Sequence, residues 1–179
     1  MAQNQAYKFK IEPFDKKKHD RTAFSCEHDA LTTYLRQQAS QDIAKHVAAV
    51  FVLTPDGRTI AGYYTLSQYA VEPSQIPPQL LHELRLPKYP RLPATLVGRL
   101  ARSLEFRNQG VGRQLLLSAL QQSLSMSRTI ASAAVVVDAK DDRAMMFYQE
   151  YGFLRMLDSP NRLFLPMRTI QQAFYHPSD

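Results

Sequence analysis

The sequence predicts one α/β domain over residues 1–179, its core spanning about residues 7–168, with a mixed sheet flanked by helices. Three observations predict it. Segments of strand period and helix period alternate in the order β, α, β, β, loop, β, α, β, α, β. Hydrophobic residues make up 45% of the chain and charged residues 21%, the balance of a globular protein rather than a disordered one. The length of 179 residues is enough to bury a continuous core.

Each element has its own signal. Residues 7–14 alternate Tyr7, Phe9 and Ile11 with Lys8, Lys10 and Glu12, the pattern of a half-buried strand. Asp29 reads as the cap of a helix running to about His46, with Leu31, Leu35, Ala39 and Ile43 stacked four apart and Tyr34 beside them. Residues 47–53 are apolar and β-branched, Pro55-Asp56-Gly57 is a turn, and residues 59–70 resume with Ile60, Tyr63, Tyr64 and Leu66, together a β-hairpin. Prolines 73, 77, 78, 87, 90 and 93 then enforce a loop-rich insertion with room for a turn or two of helix over residues 79–84. Residues 94–101 form a strand, and residues 110–126 a helix striped by Leu116, Leu120 and Leu124. A valine-rich strand covers residues 131–137. A helix over residues 141–151 carries Ala144, Phe147, Tyr148 and Tyr151 on one face, and a last strand covers residues 162–167.

Composition excludes several functions. No stretch approaches the roughly 20 apolar residues of a membrane-spanning helix, and the start lacks the basic and apolar regions of a signal peptide, so a cytoplasmic location is expected. Cys26 is the only cysteine, which rules out an internal disulfide and a cysteine-based zinc site, and His19, His28, His46, His82 and His176 show no ligand spacing, so no metal is expected. The net charge of +6 is unevenly placed: Arg85, Lys88, Arg91, Arg99, Arg102, Arg107 and Arg113 face a single acid, Glu105, between residues 84 and 113. Such a strip is either a solvated surface or a field that attracts phosphates.

The run from Leu96 through Arg113 is a strand, a turn with two glycines, and a helix start. The first amides of a helix lack intrahelical partners and sit at the positive end of its dipole. Glycines at 110 and 112 let an anion approach those amides, and Arg107 and Arg113 add charge. No Gly-Lys-Ser/Thr follows, and the three-glycine dinucleotide spacing is incomplete. By itself the turn fits either an anion site or a glycine-eased connection without a ligand.

Arg107-Asn108-Gln109-Gly110-Val111-Gly112 resembles the acetyl-CoA motif Arg/Gln-x-x-Gly-x-Gly/Ala of the GNAT superfamily of N-acetyltransferases. The segment Ala144-x-x-Phe147-Tyr148-x-x-x-Gly152-Phe153 is similar to that family's second element. The resemblance implies a GNAT fold, mostly antiparallel and splayed at the acetyl-CoA site. It also implies acetyl-CoA as co-substrate, with the pyrophosphate on the amides of the turn (Arg107, Asn108, Gln109, Gly110, Val111, Gly112, Arg113) and the thioester oxygen beside Leu100, Ala101, Arg102 and Ser103. It implies that Tyr148 is the general acid that protonates the departing thiolate, whereas its helical face alone reads as core. For a base, spacing does not elevate any of His46, His82, Glu72, Glu83 or Glu105, and an amine of near-neutral pKa needs none. Cys26 has no histidine partner that would make it a nucleophile.

Phe24-Ser25-Cys26-Glu27-His28-Asp29-Ala30-Leu31-x-x-Tyr34-Leu35, Ala39-x-x-Asp42, and the proline-rich run at residues 86–93 leading into Gly98-Arg99-Leu100-Ala101 narrow the resemblance to the GNAT toxins of bacterial toxin–antitoxin pairs. That group implies acetylation of the α-amine of aminoacyl-tRNA, a ribbon-helix-helix antitoxin as partner, and a homodimer. Under it Lys88, Arg91 and Arg99 become substrate-binding residues. This chain departs from the group's pattern at Glu27 and Asn108, where glycine is common, and at Arg102-Ser103, where a valine and an acid or histidine are common. Acetylation of small amines or protein amino groups is therefore an alternative, as is a non-catalytic module binding CoA or an antitoxin. A nucleic-acid-binding regulator would need a basic reading helix, and Lys16-Lys17-Lys18 falls in a predicted loop. The apolar residues 170–175 suit either a dimer interface or the domain's own core.

Overall fold

The structure, a computed structural model, describes residues 8–175. Seven strands form one sheet: β1 (Lys10–Pro13), β2 (Ala49–Thr54), β3 (Gly62–Val71), β4 (Leu92–Arg102), β5 (Ala134–Asp138), β6 (Leu154–Arg155) and β7 (Arg162–Pro166), in spatial order β1-β2-β3-β4-β5-β7-β6. The pairs β1/β2, β5/β7 and β6/β7 are antiparallel, and β4/β5 is parallel, which gives the mixed, mostly antiparallel sheet expected of the GNAT fold. The parallel register runs from Ala94↔Ala134 to Val97↔Val137, and β4 continues to Arg102.

By contacts the chain divides into two compact units, Met1–Thr65 with Arg99–Ser118, and Leu66–Gly98 with Ala119–Asp179. In the first unit, α1 (Asp29–Thr33) passes through a π-helical turn (Tyr34–Gln38) into α2 (Ala39–Ala44). The expected stripe is present, since Leu31, Leu35 and Ala39 are buried with Tyr34, and Ile43 packs against the same cluster with Phe24, Val52 and Tyr63. The Ala39 amide donates to the Tyr34 carbonyl, five residues back, and this extra residue per turn is what period counting could not foresee. The expected cap shifts by one: His28 occupies the N-cap position and Asp29 lies in the first turn, where its charge suits the helix dipole.

The hairpin's second strand starts later than expected because Asp56 holds the turn. Its Oδ1 accepts the amides of Arg58 and Thr59 at 2.8 and 2.7 Å, so Thr59 stays in the turn and β3 begins at Gly62. These bonds hold the Asp56 carboxyl down at about 2. The first expected strand shortens to Lys10–Pro13, and Tyr7, like His176, lies outside the described residues.

In the second unit the proline-rich insertion carries a short 3₁₀ turn (Pro73–Gln75) and α3 (Pro78–Glu83). Val71, Ile76, Leu92, Ala94, Val136 and Phe164 form its core, each large side chain contributing roughly 1.5–3 kcal/mol when removed from water. The helix α4 (Val111–Met126), whose residues up to Ser118 belong to the first unit and the rest to the second, buries Leu116, Leu120 and Leu124 as expected. α5 (Asp142–Glu150) is capped by Asp141, whose Oδ1 accepts the Ala144 amide at 2.7 Å. Two elements were not foreseen. β6 is two residues long, too short for a period, and the last strand stops at Pro166, where α6 (Met167–Tyr175) begins. Ile170 of α6 is buried and Tyr175 is exposed.

Candidate active site

In the first unit the end of β4 leads directly into the glycine turn. Ser103 starts a 3₁₀ turn (Leu104–Phe106), its Oγ accepting the Glu105 amide at 3.4 Å. Phe106 is buried and anchors this turn, whereas Arg107, Asn108, Gln109 and Gly110 are exposed. The chain reverses through two left-handed residues, Asn108 (φ 59°) and Gly110 (φ 70°). Both residue types tolerate that region, and glycine does so without strain. A Cβ placed on Gly110 would meet no atom within 4 Å, so the space beside Gly110 is open.

The helix's first inward hydrogen bond runs from the Gln114 amide to the Gly110 carbonyl at 3.1 Å, so the amides of Val111, Gly112 and Arg113 have no helical carbonyl to meet. Val111 is fully buried and fixes the helix start; Arg113 is exposed. Amides without helical partners at a helix N-terminus, with Arg107 ahead of it and Arg113 in its first turn, are chemically suited to a diphosphate. The donor set fits the expected group.

Of the four amides expected beside a thioester oxygen, that of Ser103 donates to the Ala61 carbonyl at 2.8 Å and is already engaged. Ala101 is buried in the first unit's core, and Leu100 and Arg102 are half-buried. Arg102 donates from Nη2 to Glu27 Oε1 at 3.3 Å, and Arg107 Nη2 lies 3.4 Å from the same oxygen. Arg99, expected to bind substrate, lies with its guanidinium carbon 3.6 Å from the Tyr34 ring centroid. The Tyr34 hydroxyl donates to Asp42 Oδ2 at 2.9 Å, and burial, reinforced by that bond, pushes the phenol up to about 12. Cys26 is buried, with Sγ 3.2 Å from the His28 carbonyl and 3.3 Å from Thr32 Oγ1, so it is a packed thiol.

In the second unit Tyr148 is buried among Phe147 and Phe153, whose ring centroids lie 5.4 and 5.5 Å away. Burial, with the Asp138 carboxylate as a smaller contribution, pushes its phenol far above the usual range, so it stays protonated at neutral pH. Among the described residues no side-chain oxygen is buried without a hydrogen-bond partner, and no protein group bonds this hydroxyl, so its tip keeps access to solvent. Of its expected helical face only Tyr148 is fully buried, accompanied by Met145, while Ala144, Phe147 and Tyr151 are half-buried.

Lys88 and Arg91, also in the second unit, are exposed, and Arg91 Nε lies 3.9 Å from Glu72. His46, His82, Glu72, Glu83 and Glu105 are all exposed, and Glu72 is engaged in a capping box with Gln75. Sequence reasoning noted Glu27 only as a departure; its pairing with arginines far along the chain carries no local signal. Among the described residues no three His, Cys, Asp or Glu side chains gather as a metal would require, and no helix is long and apolar enough to cross a membrane.

The sequence model of the acetyltransferase (GNAT) family matches residues 15–153. A probable toxin TacT of Sinorhizobium fredii (strain NBRC 101917 / NGR234) is 30% identical, over 96% of this chain and 98% of its own. The solved structure of AtaT complexed with acetyl-methionyl-tRNAfMet is similar with a TM-score of 0.83 and 26% identity, covering 93% of this chain and 99% of that one. AtaTR bound with AcCoA is similar with a TM-score of 0.77 and 25% identity, covering 93% and 98%.

Proposed function

The chain belongs to the acetyltransferase (GNAT) family, and from that premise we propose that it transfers the acetyl group of acetyl-CoA to the α-amine of an aminoacyl-tRNA. The observation that carries the donor half is the turn at Asn108 and Gly110, two left-handed residues that lead into the N-terminus of α4, with open space beside Gly110. The acceptor half is supported by the likeness to AtaT complexed with acetyl-methionyl-tRNAfMet and by the exposed cations Lys88 and Arg91.

In this reading the diphosphate of acetyl-CoA rests on the amides of Val111, Gly112 and Arg113, with Arg107 as its cation. The donor to the developing oxyanion comes from among the β4 amides of Leu100, Ala101 and Arg102, whose successive N–H groups point to alternate edges of the strand. The acceptor's α-amine, with a pKa of about 7.7–8.0, has a sizeable neutral minority at physiological pH, and that form attacks the thioester carbonyl without a dedicated base. The new C–N bond forms, the tetrahedral intermediate collapses and the C–S bond breaks; the leaving thiolate takes the proton of the Tyr148 hydroxyl, and the proton shed by the acylated nitrogen passes through solvent to restore the phenol. The whole chain acts as one GNAT domain in the cytoplasm, as a homodimer restrained by a ribbon-helix-helix antitoxin.

The Glu27–Arg102 pair, absent from the toxins' common pattern, favours a second reading in which the acceptor is a small amine or a protein amino group. Incubating the purified protein with labelled acetyl-CoA and charged total tRNA, with free polyamines and amino acids as the parallel arm, separates the two. Label recovered on aminoacyl ends supports the first. Label only on free amines supports the second, and none in either arm means a binding module without turnover.

A further inference from the structure

One oxygen, Glu27 Oε1, serves two guanidiniums: Arg102 Nη2 at 3.3 Å and Arg107 Nη2 at 3.4 Å. The two arginines flank the 3₁₀ turn Leu104–Phe106, and the backbone ties that turn to the strand of chain bearing Glu27, because the Leu104 amide donates to the Ser25 carbonyl at 2.9 Å. Glu27 is thus held beside Arg107 by local geometry. A single carboxylate cannot satisfy two guanidiniums fully, and both pairs are long for charge-assisted bonds. The Arg102 side chain is 24% exposed and the Arg107 side chain 55%, so Arg107 is the partner more open to an incoming anion.

We propose that Glu27 is an internal competitor of the diphosphate for Arg107, with Arg102 as the partner that takes it when the diphosphate arrives. The inference rests on the assignment of the turn at residues 107–113 to the diphosphate. A diphosphate offers more charge and a bidentate edge to the guanidinium, so it displaces a partly exposed carboxylate from Arg107. Glu27 then keeps its pair with Arg102 at the end of β4. The carboxylate weakens binding of donor and product alike, and so speeds release of CoA after transfer. Arg102 works against Glu27 by drawing it off Arg107.

Titration calorimetry of coenzyme A into the full chain tests this, with thermal melting of each variant as the check on folding. Glu27→Gln is expected to tighten coenzyme A about two- to fivefold at low salt, the scale of a partly exposed ion pair, with the gain shrinking at high salt. Arg102→Gln is expected to weaken it by a similar factor, and that loss is expected to vanish in the Glu27→Gln background. Opposite signs from two partners of one ion pair distinguish competition from a structural role, which moves both variants the same way. If Arg107→Gln weakens coenzyme A but Glu27→Gln does not tighten it, the competitor role is overturned while the diphosphate assignment stands. An Arg102→Gln loss that persists without Glu27 also overturns it, since Arg102 then acts on the ligand directly. Unchanged affinity in Arg107→Gln overturns both the inference and the assignment beneath it.

Discussion

The guanidinium carbon of Arg99 lies 3.6 Å from the centroid of the Tyr34 ring, whose hydroxyl is bonded to Asp42 Oδ2 at 2.9 Å. The π-helical turn that begins at Tyr34 presents this ring to the end of β4. Arg99→Ala is expected to cost about 1 kcal/mol of stability in denaturant titration, with Arg99→Lys recovering only part because ammonium stacks less well on a ring. A pH effect follows from the same contact. The phenol is raised from 10.0 to about 12, so the folded state holds its proton where the unfolded state loses it. That contribution is complete below pH 10 and is lost as pH rises from 10 to 12. Tyr34→Phe is therefore expected to lose stability less steeply than wild type across that window.

Tyr148→Phe separates chemistry from packing. The ring is buried but the hydroxyl makes no protein hydrogen bond, so the variant is expected to melt within a degree or two of wild type. Acetyl-CoA affinity should stay within about twofold, while single-turnover transfer falls by roughly 10²- to 10⁴-fold, the usual worth of a general acid. Unchanged turnover would remove Tyr148 from the acid role and return it to the core.

Two glycines respond differently to alanine. At Gly110 a Cβ meets no atom within 4 Å, so Gly110→Ala costs only the strain of φ 70°, about 1–2 kcal/mol, and is expected to weaken acetyl-CoA by obstructing the amides. At Gly62 a Cβ would lie 2.6 Å from Leu115 Cδ1 and 2.9 Å from the Ala101 carbonyl oxygen, and backbone cannot yield as a side-chain tip can. Gly62→Ala is expected to lose about 1–3 kcal/mol through overpacking. Melting and ligand titration on the pair read the two effects separately.

What was legible in the sequence was whatever repeats locally. The stripe of Leu31, Leu35 and Ala39, the stripe of Leu116, Leu120 and Leu124, and the valine strand all follow from period and burial. The turn at residues 107–112 and the Phe147-Tyr148 element stood out only through their resemblance to the family's two motifs; by itself the turn also fits a glycine-eased connection, and the helical face of Tyr148 reads as core. The π-helical turn was not, since the four-residue stripe survives an extra residue per turn. Nor was the Ser103 amide's bond to Ala61, or the convergence of Arg102 and Arg107 on Glu27. Those contacts join residues distant in the chain, and no local pattern encodes them.

The acceptor leaves a signature in salt. Lys88 and Arg91 are exposed, so replacing them is expected to leave stability and the KM for acetyl-CoA unchanged. If they meet tRNA phosphates, Lys88→Gln should raise the KM for charged tRNA and lower the slope of log affinity against log salt by about one contact. Arg91 carries a further condition, because its Nε lies 3.9 Å from Glu72 and that acid opposes an approaching phosphate. Arg91→Gln should therefore weaken tRNA less than Lys88→Gln, and Glu72→Gln should strengthen it modestly, by about twofold, through Arg91. Filter-binding titrations from low to moderate salt give all three slopes. A salt slope unaffected by any of them would detach these cations from the acceptor and favour an uncharged or small-amine substrate.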